Sequence, residues 1–399
     1  MRVSTANSFD ASVESLIKRQ TQLATAQEQL TTGKRVNRAS DDPAAAARAE
    51  RALAAEVHTD AMQRAVNASQ NAMTLSEGAL ADASDLLQQI REAMVAAGNG
   101  SYSDQERRVQ ADKIAGLRNQ LLAVANRQDG AGAYLFGGQS PDHAPFLDAA
   151  GGVTFQGTSG QVDAASDDPL PLSVDGRAAW VSGRTGNGVF STAPAAANTG
   201  QSWIDAGRVT DPSQLTGDSY SIVFADSGGG VMTYSILQNG APTAVAGVPY
   251  VSGRAIEIDG LSATITGTPA DTDTFDLAPS TSDLNIFNAI DQAVTALNTP
   301  LRTPSQIAQT NSTYLAAVDS AMAQMQSVRA QVGETLSRID SATGRLDDLR
   351  LAAQTDRTNA EGLDMVRAIS DFQNKQTGYD AALKSYSLVQ KMSLFNYIT

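Results

Sequence analysis

The 399-residue sequence contains no cysteine, which excludes disulfides, thiol nucleophiles and thiolate-bound metals. Its two histidines, His58 and His143, are too few and too far apart to build a metal centre. Aromatic residues make up only 5% of the chain, so any core must rest on Ala, Leu, Val and Met. No run approaches the roughly 18 apolar residues of a membrane-crossing helix. Met1 to Arg19 lacks the apolar stretch of a cleaved secretion signal. Basic residues are the minority, 29 against 43 acidic, and the net charge of −14 has the wrong sign for an electrostatic nucleic-acid binder. The expectation is no nucleic acid and no membrane insertion.

Catalytic patterns are missing as well. There is no His-Glu-x-x-His, no Gly-x-Ser-x-Gly elbow and no phosphate-binding loop. Asp271, Asp273 and Asp276 are spaced loosely like a calcium loop, but Phe275 takes the fifth position and no glutamate closes it. An ordinary acidic turn is expected there. Ser40-Asp41-Asp42-Pro43 recurs as Ser166-Asp167-Asp168-Pro169, but the second copy precedes a proline-rich stretch instead of a helix and reads as chance. The expectation is a non-enzyme with no catalytic, cofactor-binding or metal-ligating residues.

What is present falls into three parts. Of 32 glycines, 22 lie between Ala131 and Asn285, together with 10 of 13 prolines. The same segment holds 4 basic and 16 acidic residues, net −12, so nearly all the acidity sits on one insertion between two almost neutral flanks. The flanks carry apolar residues at alternating steps of four and three, the spacing of a coiled-coil seam. Near the start the seam is Phe9, Val13, Leu16, Gln20, Leu23, Gln27 and Leu30; near the end it is Met365, Ile369, Phe372, Gln376, Tyr379, Leu383, Tyr386 and Gln390. Longer seams run through Met62, Val66, Met73, Leu80, Leu87 and Met94, then Ile114 to Val124, then Leu315 to Ile339. The middle reads as strands: Tyr220–Phe224 and Val231–Ile236 alternate around a glycine run, and Ala255–Ile258 and Ala263–Thr266 flank Asp259-Gly260, a tight-turn dipeptide.

The two terminal seams share Leu, Gln and few charges. One such helix cannot bury its stripe alone. The two ends therefore either pair within the chain or stay loose until neighbouring subunits supply the missing surface. Between the first two helices, Gly33 is a natural helix stop, Ser40, Asp41 and Asp42 offer capping oxygens, and Pro43 fits a first helical turn. With Arg35 and Asn37 these residues form a helix–joint–helix segment.

The stretch Leu30 to Ala44 resembles the joint after the first helix of bacterial flagellins and their hook-associated relatives. Tyr134-Leu-Phe136-Gly137-Gly138, Pro145-Phe146 and Val153-Thr-Phe155-Gln156-Gly157 are similar to the lead-in to the outer domain of the hook-associated protein 3 family, the hook–filament junction subunits. Gly186 to Phe190, Thr264 to Phe275 and the ending Met392-Ser-Leu-Phe-Asn-Tyr-Ile-Thr399 point to the same family. The resemblance implies an α+β fold: an elongated helical coiled-coil rod built from both chain ends, with an inserted β-rich outer domain. It implies a terminal coiled-coil domain over 1–42 and 361–399, an inner helical bundle over 43–136 and 286–360, and an outer domain over 137–285. The implied function is a structural subunit of the flagellum between a hook-associated protein and the flagellin filament. Alternatives are flagellin itself, the bulk filament subunit, or more distantly a secreted adhesin acting through the middle domain. Implied partners are identical copies in a ring, hook-associated protein 1, flagellin, and a cytoplasmic export chaperone on the C-terminal helix. The implied location is extracellular, in the flagellum, reached by type III export without a cleaved signal. The expected assembly interface is Phe9, Val13, Leu16, Leu23, Leu30, Ile369, Phe372, Tyr379, Leu383 and Tyr386.

Overall fold

A computed structural model describes the backbone of residues 5–165 and 168–398 and the side chains of residues 10–165 and 168–388. The side chains of Phe9, Gln390 and the ending 392–399, and the whole of Ser166-Asp167, lie outside the described residues. The helices are α1 (Thr5–Thr32), α2 (Pro43–Ala97), α3 (Asp104–Ala125), α4 (Gly176–Trp180), α5 (Ile286–Asn298), α6 (Pro304–Glu361) and α7 (Met365–Ile398). The strands are β1 (Phe146–Ala149), β2 (Gly152–Phe155), β3 (Phe190–Pro194), β4 (Gln201–Ile204), β5 (Arg208–Val209), β6 (Tyr220–Asp226), β7 (Met232–Gln238), β8 (Ala241–Pro242), β9 (Val248–Pro249), β10 (Ala255–Ile258), β11 (Leu261–Thr268) and β12 (Thr274–Pro279). The chain divides into two compact units, Met1–Arg64 with Ala342–Thr399, and Ala65–Ser341.

In the first unit α1 packs along α7. The half-buried residues of α1 are Ser12, Val13, Leu16, Leu23, Gln29 and Leu30, and Ala26 alone is buried among its described residues. Gln20 and Gln27, seam positions by spacing, are exposed, as is Gln376 on α7. Ala26 is buried in place of Gln27, and a Cβ on Gly378 would meet only the end of the flexible Arg19 side chain, at 2.9 Å. Ion pairs Arg357–Glu56 at 2.5 Å and Arg350–Asp60 at 3.4 Å tie the end of α6 to the start of α2.

In the second unit the long seams close as their spacing predicts. Val66, Met73, Leu80, Leu87, Ile90 and Met94 of α2 are buried, as are Ile114 and Leu121 of α3 and Val318, Met325, Val332 and Ile339 of α6. Ser69 and Ser76 are buried in the same stripe, and their hydroxyls donate to the Pro171 and Ala72 carbonyls. Arg329, at a seam position of α6, is half-buried and pairs with Glu77. Helix α3 opens with a capping box between Ser103 and Glu106.

The aromatic-poor chain gathers five aromatics at one place. The Trp180 ring stacks on Phe287 at 5.7 Å, meets Phe136 edge-on at 5.4 Å and lies 6.2 Å from Phe146, which also contacts Phe155 at 5.4 Å. Asn126 and Asn288 fix the β1–β2 hairpin by bonding the backbone of Phe146 and the Val153 N–H. Arg118, almost wholly buried, clamps that hairpin through Asp148 and reaches Asp291 of α5 at 2.7 Å. Helix α5 carries the same rhythm over a shorter run: Ile286, Ile290, Ala293 and Leu297 step by four, three and four and are buried.

The predicted hairpin is β6–β7, in register from Tyr220↔Gln238 to Asp226↔Met232. Asp259 and Gly260 have φ of 45° and 76°, the tight turn joining β10 to β11. Strand β11 pairs with β10 and β5 through its first half and with β4 through its second. A six-stranded sheet has the order β3-β12-β6-β7-β8, with β9 also on β7. Asp273 is buried, and its carboxylate accepts N–H bonds from Thr199, Gly200 and Ala270, which stitches a turn together.

Candidate assembly site

The joint after α1 is where the two ends of the chain meet. Gly33 sits at φ 68° and its N–H returns to the Gln29 carbonyl at 2.9 Å, the left-handed stop that glycine supplies at lowest cost. Lys34 then forms an antiparallel bridge with Gly362: Arg35 N–H donates to the Glu361 carbonyl at 2.7 Å and Leu363 N–H to the Gly33 carbonyl at 3.2 Å. Side chains reinforce this crossing. Lys34 pairs with Glu361 at 2.9 Å, and Arg35 bonds both the Ala360 carbonyl and the Asp42 carboxylate.

The capping residues divide their work. Asp42 accepts from Ala45 N–H at 3.0 Å, the N-cap of α2, with Pro43 in the first turn. The bond from Ala45, helped by Arg35, holds the Asp42 carboxyl below its ordinary pKa. Asp41 instead accepts from the Asn37 and Arg38 N–H groups and closes the loop on itself. Ser40 is exposed. An open cleft of about 480 Å³ adjoins the joint, with Ala26, Arg35, Leu363 and Arg367 among its walls.

Beyond the joint, nine of the ten expected interface residues have described side chains, Phe9 being the exception, and they separate into two sets. Val13, Leu16, Leu23 and Leu30 on α1 and Phe372, Tyr379 and Tyr386 on α7 are half-buried. Ile369 and Leu383 are 47% and 41% exposed, with Met365 and Val366 beside them at 45% and 83%. The reason is helical pitch. At about 100° per residue, Leu383 lies roughly 60° round the helix from Tyr386 and 40° from Tyr379, so one 4,3 stripe spans two flanks. The flank holding Phe372, Tyr379 and Tyr386 is half-buried in the α1–α7 pair; the flank holding Met365, Ile369 and Leu383 stays open. The backbone crossing at Gly362 was not legible in advance, because its partner lies more than 320 residues away along the chain.

Comparison with known proteins agrees with this geometry. The bacterial flagellin N-terminal helical region matches residues 3–140, and the bacterial flagellin C-terminal helical region matches residues 315–398. The chain is 25% identical over 403 residues to flagellar hook-associated protein 3 of Salmonella typhimurium, covering 99% of each chain. Among solved structures, Xanthomonas campestris FlgL is 30% identical with a TM-score of 0.68, covering 78% of this chain and 99% of that one. Flagellar hook-associated protein-3 of Legionella pneumophila has a TM-score of 0.71 at 26% identity, covering 77% and 97%. Curated flagellins match more narrowly, for example over 32% and 28% of this chain. With its ends joined at one crossing, its β-rich insert, and likeness to junction proteins along the whole chain, this protein belongs to the hook-associated protein 3 family of the bacterial flagellin superfamily, the structural subunits of the flagellar hook–filament junction.

Proposed function

We propose that identical copies of this subunit form a ring, with hook-associated protein 1 on the hook side and flagellin on the filament side. The observation that carries the reading is the incomplete burial of the terminal helices. Among described residues α1 buries only Ala26 and α7 buries none, while Ile17, Val366, Ile369 and Leu383 remain exposed. Such a pair gains little against the entropy of ordering the backbone, so a neighbour's surface completes it. The work of the protein is mechanical connection, without catalysis. Export through the flagellar type III channel delivers it outside the cell. A cytoplasmic chaperone covers Phe372, Tyr379, Leu383 and Tyr386 before export, because a free C-terminal helix would expose that apolar stripe. The division into terminal (1–42, 361–399), inner (43–136, 286–360) and outer (137–285) domains is part of the same proposal.

Immunogold labelling of intact flagella is the test. One narrow band between hook and filament is expected. Labelling along the whole filament would identify a flagellin and overturn the proposal. Hydrogen exchange on the monomer checks the ends: fast exchange across Leu16–Leu30 is expected, whereas strong protection would show that the α1–α7 pair needs no neighbour.

A further inference from the structure

The loop between α5 and α6 holds a leucine where leucine is least at home. Among the described residues four other than glycine have positive φ, and three of them are polar: Asn239, Asp259 and Thr272. The fourth is Leu301, at φ 58° with 92% of its surface exposed. Glycine or asparagine would suit this conformation better, and any polar residue would suit the exposure better. The surroundings hold the leucine out. Its N–H donates to the Asp104 carboxylate at 3.1 Å, and the next residue, Arg302, donates to the carbonyls of Ala296 and Gln306. Strain of this kind persists where the surrounding structure over-determines it, and it collects at functional contacts. Asp104 is itself paired with Arg107, and two further arginines leave a net positive charge: among the described residues Arg302 bonds only carbonyls, and Arg108, exposed on the first turns of α3, has no ion pair.

The same unit carries a matching recess. Where the β-rich insert leaves the helices, a cavity of about 420 Å³ opens, its lining mixing Leu284, Pro279 and Ala316 with hydroxyl side chains and the carboxylate of Asp283. It is far larger than a leucine side chain needs, and its carboxylate is complementary to the cations beside Leu301.

We propose that Leu301 of one copy seats in the Asp283 cavity of the next copy, a head-to-tail contact repeated round the junction. Because projection and recess are different surfaces, the contact is heterologous, the type that closes a ring or continues a helix. The inference rests on the reading that identical copies meet in the flagellum.

The absence of cysteine makes the test clean. Cells are made to express two variants together, Leu301→Cys and Ala278→Cys, the latter position lining the cavity. Flagella are isolated, oxidised and resolved without reductant. A cross-linked dimer in the mixture, absent from either variant alone, is expected. Flagella that contain both variants and give no dimer overturn the contact while leaving the junction reading intact. Wild-type protein absent from isolated flagella would overturn the junction reading itself, and the contact with it. A second arm uses Leu301→Gly. Glycine relieves the backbone, so the purified variant should melt no lower than wild type. Loss of the buried leucine at each contact should reduce filament-bearing cells about tenfold or more. A variant that assembles like wild type, or one that melts well below it, overturns the proposal.

Discussion

Between Phe190 and Leu277, twelve side chains from seven of the strands close into one core, among them Tyr220, Phe224, Phe275 and Ile265, each at most 2% exposed. The described parts of α1 and α7 close on Ala26 alone. Both regions are apolar along regular stripes, so hydrophobicity does not separate them. Geometry does. A sheet face packed against another buries every second residue of each strand, whereas two lone helices bury only the narrow line where they touch. The insert is complete within one chain; the terminal pair leaves a flank of its stripe open.

The sharpest way to break this comparison is to attack the completed region. Trp180 is 1% exposed and touches Phe136, Phe146 and Phe287. Trp180→Ala should cost about 3–5 kcal/mol in denaturant unfolding. Deleting residues 138–279 removes Trp180, Phe146 and Phe155 together and should leave an unfolded second unit. The neck offers a better cut. Thr185 N–H reaches the Thr281 carbonyl at 2.9 Å, so a short linker in place of residues 186–280 spans a gap that is already closed. That excision takes the whole β core with it and should keep the helical part folded by circular dichroism and its melting cooperative. Collapse of this shorter deletion would show that the insert and helices share one core.

A smaller effect is expected at Arg118. Its side chain is 6% exposed and its two carboxylate partners are on the surface, so Arg118→Met should cost about 1–3 kcal/mol. The effect depends on pH. The Arg118 hydrogen bond holds the Asp148 carboxyl below its usual value. A carboxylate lowered in the folded state contributes stability above its unfolded pKa of about 3.9 and loses it as pH falls through the folded value. The difference between wild type and Arg118→Met should therefore be full near neutrality and shrink below about pH 4. A difference constant down to pH 2 would mean that the clamp works by packing alone.

The smallest effect on the isolated protein belongs to the open flank of α7. Leu383→Lys should change unfolding free energy by less than about 0.5 kcal/mol, because Leu383 is already 41% exposed. Added to cells lacking this protein, however, the variant should fail to seed filaments. Filament growth at wild-type efficiency would place Leu383 in solvent in the flagellum as well. Phe372→Lys, on the half-buried flank, should disturb the α1–α7 pair itself; equal behaviour of the two variants would erase the distinction between the flanks.

Much of the architecture was legible where a local pattern repeats. The α2 stripe from Val66 to Met94 is buried at the positions its spacing assigns, and so are Val318, Met325, Val332 and Ile339 of α6, with Met322, Arg329 and Leu336 half-buried between them. The β6–β7 hairpin and the Asp259-Gly260 turn follow from alternation and turn chemistry. Within the joint, Gly33, Asp42 and Pro43 act through near neighbours and were readable for that reason. Leu301 was not, since a backbone held at positive φ by a carboxylate far away in sequence leaves no local mark. The aromatic cluster was hidden in the same way, its five rings scattered from Phe136 to Phe287 with no common period.

Composition and periodicity by themselves determined that this chain has helical ends, an acidic β-rich insert and none of the common catalytic motifs, because those properties depend on residue types and spacings that no distant contact can change. Only the tertiary structure decided which side of each stripe is used. The turn at Gly33 and the bridge to Gly362 bring α1 against α7 along one line, with Ala26 buried. Phe372, Tyr379 and Tyr386 fall beside that line and are half-buried, while Ile369 and Leu383, identical in spacing, fall off it. A stripe written at 3.5 residues per turn on a helix of 3.6 covers more arc than one neighbour can bury, and the position of that neighbour is a long-range fact.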